Sequence, residues 1–133
     1  MTEEEAFIRA FVVPEKRVRF ATFVASPKRR RDFTRTLAHF LDRDRRWMTV
    51  IPPDQQTCRA ISSLLRANGA GDTCFVISEN SDFDGRSLSL DEALELVVDT
   101  NSGSILSCVP GRLAYYEGEE PTDRCIFARA CPL

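Results

Sequence analysis

Three short polar segments, residues 26–29, 52–56 and 78–84, carry the side chains best suited to ligand binding or acid–base chemistry. Each segment follows a predicted strand and is therefore expected to lie in a turn. If those strands run parallel, the three turns emerge at one edge of the sheet, where open α/β sheets usually place their ligands. The sequence thus predicts a sheet-edge site that would serve a small-ligand or phosphate-handling enzyme.

The residues of this site divide by their chemistry. The positive end of a predicted helix, placed beside two cations, suits a phosphate or a carboxylate. Ligand binding is therefore expected from Ser26, Lys28, Arg29 and Asp54. A general base or a metal ligand would come from the carboxylates of the third segment, Glu79, Asp82 and Asp84. Because the sequence contains neither G-x-x-x-x-G-K-[ST] nor G-x-G-x-x-G, polar turns and helix caps remain the alternative interpretation.

The sequence offers little support for a metal site. Residues 80–91 match the spacing of a calcium-binding loop only in part, because Asn80 and Asp91 stand where Asp and Glu are usual. Asx turns explain the same stretch without a metal. The single histidine, His39, falls on the polar side of a predicted helix, and no C-x-x-C motif is present. We expect no cofactor, no resident metal and no complete catalytic constellation.

Positive charge is concentrated in residues 16–46, where eleven Lys and Arg stand against three Asp and give a net charge of +8. The whole chain carries −2, so the remaining residues sum to −10. Lys28, Arg31 and Arg35 share one face of a predicted helix, a placement that would allow contact with nucleic-acid phosphates. Because no helix-turn-helix, RRM, KH or zinc-finger motif accompanies them, we favour a solvated basic face over a nucleic-acid interface.

The sequence resembles neither a membrane span nor a secretory signal. Its apolar runs are far shorter than the roughly 18–20 residues that a transmembrane helix needs. The chain opens with three glutamates at residues 3–5, where a signal peptide would be basic. Five cysteines without C-x-x-C spacing fit reduced, buried thiols. We therefore expect a cytoplasmic protein that contacts no membrane.

The pattern of apolar residues predicts a single α/β domain over residues 1–133. A capping box at Thr2 and Glu5 begins a short N-terminal helix. Three strand–helix units follow, and helices of the usual crossover length favour parallel pairing of their strands. An α+β fold with helices on one face only is the competing topology. The strands of the three units are predicted at residues 18–25, 47–51 and 73–78.

The helices of these units are delimited by cap residues and turn signals. Residues 47–51 form a continuous apolar run that predicts a buried strand, and residues 74–77 predict a central one. The helices are predicted from Pro27 to about Leu41, from a cap at Asp54 to Asn68, and from Ser89 to about Asn101.

The C-terminal third predicts an antiparallel three-stranded meander that completes a mixed sheet. Its strands cover residues 105–109, 113–117 and 125–128. Tyr115 and Tyr116 are neighbours on the middle strand and point to opposite faces, which leaves one of them to face outward and anchor a partner. The alternative is an edge strand protected by charge. The last strand is also expected to be free to pair across a homodimer.

These residues indicate no known family. The charge asymmetry and the incomplete catalytic constellation favour a non-enzymatic module that binds a protein partner or forms a homo-oligomer. An enzyme that binds a small anionic ligand at the sheet edge is the alternative hypothesis. Weak nucleic-acid binding through residues 16–46 is the third.

Overall fold

Six β-strands form one sheet in the computed structural model, which describes residues 1–130. Their order across the sheet is β1-β6-β5-β4-β2-β3, and all five pairings are antiparallel. Cys131 and the predicted end of the domain at residue 133 lie outside the described residues. The strands are β1 (Met48–Val50), β2 (Thr73–Ser78), β3 (Ser87–Ser89), β4 (Ser104–Val109), β5 (Leu113–Glu117) and β6 (Arg124–Ala128).

Helices cover both faces of this sheet. One layer holds the first three α-helices and the other holds the last two. The α/β class in one compact domain is therefore confirmed for the described residues, and the competing fold with helices on one face only is excluded. The helices are α1 (Glu3–Phe11), α2 (Arg17–Val24), α3 (Arg30–Thr34), α4 (Cys58–Ala67) and α5 (Leu90–Val97).

An aromatic core joins the first helical layer to the sheet. Phe7 and Phe11 of α1 contact Phe127 of β6, with ring centroids 5.3 and 5.1 Å apart. Phe40 lies 5.7 Å from the Tyr116 ring of β5 in an edge-on arrangement. Such pairs bury large apolar areas and add about 0.5–1.5 kcal/mol each beyond burial. This core holds α1 to α3 in place.

A second, aliphatic core lies on the opposite face. Ile61 and Leu65 of α4 and Leu94 of α5 are fully buried against β2, β4, β5 and β6. Tyr115 of β5 belongs to this core, whereas Tyr116 belongs to the first one. Both tyrosines are buried because both faces of the sheet are covered, so the expectation of an outward tyrosine anchor is wrong.

Several local predictions are confirmed. The Thr2 side chain accepts a hydrogen bond from the Glu5 amide and caps α1, and the Ser89 side chain accepts one from the Glu92 amide and caps α5. Gly69 ends α4 with a φ of +109°, a conformation that favours glycine. β2 lies inside the sheet between β4 and β3, and the meander of β4, β5 and β6 is present as predicted.

The strand predicted at residues 18–25 is wrong, because this stretch forms α2. Phe20, Phe23 and Val24 stand at helical spacing and pack into the first core. β-branched and aromatic residues are common in strands because they fit a half-buried pleated surface, and a helix that buries the same residues satisfies them equally. Tertiary packing decided between the two.

The predicted parallel pairing is also wrong, because every ladder is antiparallel. β1 and β2 run in the same direction but are separated by β6, β5 and β4. β1 is an edge strand with Thr49 and Val50 exposed rather than a buried strand. β6 lies between β1 and β5, so neither the last strand nor the Tyr115 strand is an open edge.

Candidate functional site

Exposed positive charge is concentrated on α2, α3 and the residues that flank α3. All five residues of this group are solvent-exposed. Within residues 1–130, only Arg29 among them forms a salt bridge, with Asp32 at 3.1 Å. The group, hereafter the basic surface, comprises Arg19, Lys28, Arg29, Arg31 and Arg35. It therefore contains the predicted residues Lys28, Arg31 and Arg35 and adds two arginines.

Phe23 joins the two parts of the basic surface. The guanidinium of Arg29 lies 4.5 Å from the centroid of the Phe23 ring, and that of Arg19 lies 5.6 Å from it. Phe23 is only 8% exposed, and both guanidinium groups contact its ring. Cation–π contact of this kind is worth about 0.5–1 kcal/mol at an exposed site. The Phe23 ring thus contacts one guanidinium group from α2 and one from the turn before α3.

Three consecutive arginines have three different environments. Arg29 stacks on Phe23, and Arg31 is exposed. Arg30 points inward, where its Nε donates to Glu4 at 2.8 Å and its two terminal nitrogens donate to the carboxylate of Asp84. The hydrogen bonds from Arg30 to Asp84 are the main reason that the pKa of Arg30 lies above its ordinary value. Arg30 therefore ties α1 and the turn after β2 to α3.

Three other arginines of the basic segment pair with carboxylates, whereas Arg45 is exposed and forms no salt bridge with a described residue. Arg17 and Arg46 both pair with Asp44, at 3.4 and 2.7 Å. Arg43 is buried and lies 3.3 Å from Asp123. Hydrogen bonding from Arg46 lowers the pKa of Asp44 below its ordinary value. Residues 16–46 thus contain arginines that pair with carboxylates and exposed cations that do not.

The predicted sheet-edge site is only partly brought together. The Arg30–Asp84 ion pair places residues 26–29 beside residues 78–84. Residues 52–56 follow β1, which lies four strand spacings from β2, or roughly 19 Å. Asp54 belongs to a 3-10 turn there, and Thr57 rather than Asp54 caps α4. Asp54 therefore lies apart from the carboxylates of residues 78–84.

The helix after Ser26 begins later and is shorter than predicted. The Ser26 carbonyl accepts from the amides of Arg29 and Arg30, so these amides are already bonded. α3 is a helix of five residues that continues as a 3-10 turn over residues 35–39. A helix this short presents a weak dipole, so its N-terminus offers little to an anion.

Residues 78–85 form a turn held by its own side chains. Asn80 Oδ1 accepts from the amide of Asp82 at 2.9 Å, and Asp84 Oδ1 accepts from the amide of Ser78 at 3.0 Å. Gly85 has a φ of +76°. Asp91, the twelfth residue of the calcium-like spacing, bonds instead to Ser62 on α4. Within residues 1–130, no group of three His, Cys, Asp or Glu side chains is arranged to hold a metal ion.

The sequence did not predict a buried ion pair that joins the end of β5 to the start of β6. Glu117 and Arg124 are directly opposite in the β5–β6 ladder and are 0% and 3% exposed. Glu117 Oε1 accepts from the Tyr115 hydroxyl at 2.8 Å and lies 3.5 Å from Arg124 Nε. Arg124 also donates to Asp99 at 2.7 Å and to Gln56 at 3.1 Å. The sequence predicts a hairpin turn between residues 117 and 125, but it assigns no register to the two strands.

The environment of Glu117 disfavours its charge. Burial raises the pKa of its carboxyl above the ordinary value, although Tyr115 and Arg124 act in the opposite direction. Glu117 Oε2 and Arg124 Nε are buried with no hydrogen-bond partner among the described residues. The amide of Asp99 donates to Glu117 from a residue with a φ of +68°. The cluster joins the end of β5 and the start of β6 to the segment that carries Asp99.

The only histidine lies on the surface, as the helix pattern predicted. The His39 side chain is exposed, and its Nε2 lies 2.6 Å from the Glu119 carboxylate.

Across residues 1–130, no helix combines the length and apolar character that crossing a membrane demands. In comparisons with known proteins, no family model, curated protein or solved structure matches this chain.

Proposed function

We propose that this domain is a protein-interaction module whose basic surface binds an acidic segment of a partner protein. The observation that carries the proposal is the separation of paired from unpaired cations. Arg31, Lys28 and Arg35 are exposed, and no carboxylate among the described residues pairs with them. A partner carboxylate would therefore displace only water from these groups. Contact with the Phe23 ring restricts the orientations of the Arg19 and Arg29 side chains.

The distribution of acidic residues on the opposite layer favours a short acidic partner over a nucleic acid. The exposed face of α5 carries Asp91, Glu92 and Glu95. A nucleic acid bears a charge every few ångströms along its length, so a long one also meets these acidic side chains. Phe20 and Phe33 are buried in the core and offer no face to a base. A short acidic peptide needs only the basic surface.

The first test is a titration of the full chain with a fluorescent poly-glutamate peptide at constant ionic strength. Arg31→Ala is compared with Arg59→Ala, because Arg59 is also an exposed helical arginine without a salt bridge but lies on α4, in the other layer. We expect Arg31→Ala to weaken binding by about threefold and the triple change of Lys28, Arg31 and Arg35 to Ala by about tenfold or more. Added salt should weaken wild-type binding as well.

Three results would count against this assignment. Equal losses for Arg31→Ala and Arg59→Ala would mean that the peptide senses only total charge. Tighter binding of oligothymidylate than of poly-glutamate in the same buffer would favour the nucleic-acid hypothesis. A salt-dependent dimer in sedimentation experiments that the triple variant abolishes would make a second copy of the chain the partner.

A further inference from the structure

Two cysteines stand on neighbouring strands at positions that the sheet register places opposite each other. β2 and β4 pair antiparallel with Phe75 opposite Ser107. The observed pairing ends there, and extending the same register by one residue would place Cys74 opposite Cys108. Both side chains lie on the face of the sheet that contacts α4 and α5, where Cys74 belongs to the second core and Cys108 packs against it.

The hydrogen-bonding pattern defines the type of pair these cysteines form. The amide of Glu79 donates to the carbonyl of Gly103 at 3.0 Å, which makes residues 79 and 103 a hydrogen-bonded pair. Pairs in an antiparallel ladder alternate, so in the extended register residues 74 and 108 would form a non-hydrogen-bonded pair. The Cα atoms of such pairs are about 4.5 Å apart, a separation inside the roughly 4.4–6.8 Å range of disulfides.

The same ladder contains a direct measure of how close such side chains come. Ser78 and Ser104 are a non-hydrogen-bonded pair on the same face, two pairs of this type away from the cysteines. Their hydroxyl oxygens are 2.7 Å apart. Side chains that are one atom beyond Cβ therefore meet across this ladder, and a cysteine sulfur is also one atom beyond Cβ.

Cys108 has freedom to adjust its position. The β4–β5 register is irregular between Ser107 and Val109, so Cys108 has no directly opposite partner on β5. Its side chain is half-buried, whereas Cys74 is only 5% exposed. A small rotation at Cys108 is therefore less restricted than one at a regular position of the strand.

We propose that Cys74 and Cys108 are a redox modification site that forms a cross-strand disulfide when the protein meets peroxide. The Cys108 thiolate attacks one oxygen of hydrogen peroxide, the O–O bond breaks, and the departing hydroxide takes a proton to leave as water. The Cys74 thiol then attacks the sulfenic sulfur of Cys108, the S–O bond breaks, and a second water leaves. Two thiols are oxidised and one peroxide is reduced to two waters.

The surroundings of the thiols make this reaction slow at neutral pH. Burial raises the pKa of Cys74 to about 11 and that of Cys108 to about 12. Glu3 adds to both shifts, whereas Arg66 lowers the pKa of Cys108. Because the thiolate is the attacking form, disulfide formation should accelerate as the pH rises.

The test uses the reduced full chain, treated with hydrogen peroxide and then with N-ethylmaleimide in denaturant. Trypsin cleaves after Arg66, Arg86 and Arg112, so Cys74 and Cys108 fall in separate peptides, 67–86 and 87–112, each with a single cysteine. Mass spectrometry without reductant should detect these two peptides joined with the loss of two hydrogens. Reductant should separate them.

Cys58→Ser is the matched control, because Cys58 is also half-buried but lies on α4, and this variant should still form the linked peptide. Cys108→Ser and Cys108→Ala should abolish it. The proposal fails if Cys58 is fully oxidised while Cys74 and Cys108 still react with N-ethylmaleimide, or if the linked peptides contain another pair. In a melting experiment, oxidation should raise the melting temperature of the wild type by about 5 °C or more, and reduction should reverse this rise. Peroxide should not raise the melting temperature of Cys108→Ser.

Discussion

Replacing Arg124 with methionine should destabilise the protein by about 3–5 kcal/mol, the usual cost of removing one partner from a buried ion pair. Methionine keeps most of the apolar stem but leaves the Glu117 carboxylate, which is 0% exposed, without its Arg124 partner. The Asp99 carboxylate is 72% exposed and returns to water when Arg124 is lost. The cost therefore arises mainly at Glu117.

The magnitude can be checked by urea unfolding and by melting at pH 7. For a domain of this size, a loss of this order lowers the melting temperature by about 10–20 °C. The double variant Arg124→Met with Glu117→Leu removes both charges, so it should recover to within about 2 kcal/mol of wild type. The Tyr115 hydroxyl, which loses its Glu117 acceptor in the double variant, accounts for this remaining deficit.

Two outcomes would refute this reasoning. A loss below about 1 kcal/mol for Arg124→Met would mean that water reaches Glu117 in the folded state. If the double variant loses as much unfolding free energy as the two single variants lose together, the two charges are not coupled. Either result would show that the burial of Glu117 does not control its energetics.

Three further predictions concern groups already described. Because burial raises the pKa of Glu117 above its ordinary 4.5, the folded chain retains this proton at higher pH than the unfolded chain. Wild-type stability should thus rise relative to Glu117→Gln as the pH falls from 7 toward 4.5, and parallel urea midpoints for the two proteins would contradict this. Gly103→Ala places a Cβ 2.2 Å from the backbone of residues 37–38 and should cost about 2–3 kcal/mol, whereas Gly71→Ala meets no atom within 4 Å and should be close to neutral in the same melt. Tyr116→Phe removes a hydroxyl that donates to the buried Leu37 carbonyl at 2.5 Å, which should lower the free energy of unfolding by about 1–3 kcal/mol. An unchanged urea midpoint would mean that water replaces the hydroxyl.

The basic surface was partly predictable. Lys28, Arg31 and Arg35 are all exposed, as the predicted polar helix face required. Only Arg31 lies within α3, however, because that helix begins at Arg30 and ends at Thr34. The inward position of Arg30 depends on Glu4 and Asp84, which are distant in sequence and meet it only in the folded chain. Neighbouring arginines with the same local propensity therefore received opposite roles.

The sequence by itself determined where α1 and α5 begin, where α4 ends and where the turns of the meander lie. Caps such as Thr2 and Ser89 act within a few residues, so their effect does not depend on the rest of the fold. The hairpins of the meander depend on turns that are equally local. For the same reason the turn between Glu117 and Arg124 was readable, although the pairing of their charges was not deduced from it.

Only the tertiary structure decided the state of residues 17–24, the strand order and the direction of pairing. A segment with Phe20, Phe23 and Val24 buries them in a helix or in a strand, and the choice depends on the surface it meets. The position of β1 at the edge, four strands from β2, is a property of the whole sheet. Because the proposed sheet-edge site assumed adjacent parallel strands, its assembly depended on long-range contacts that no local pattern encodes.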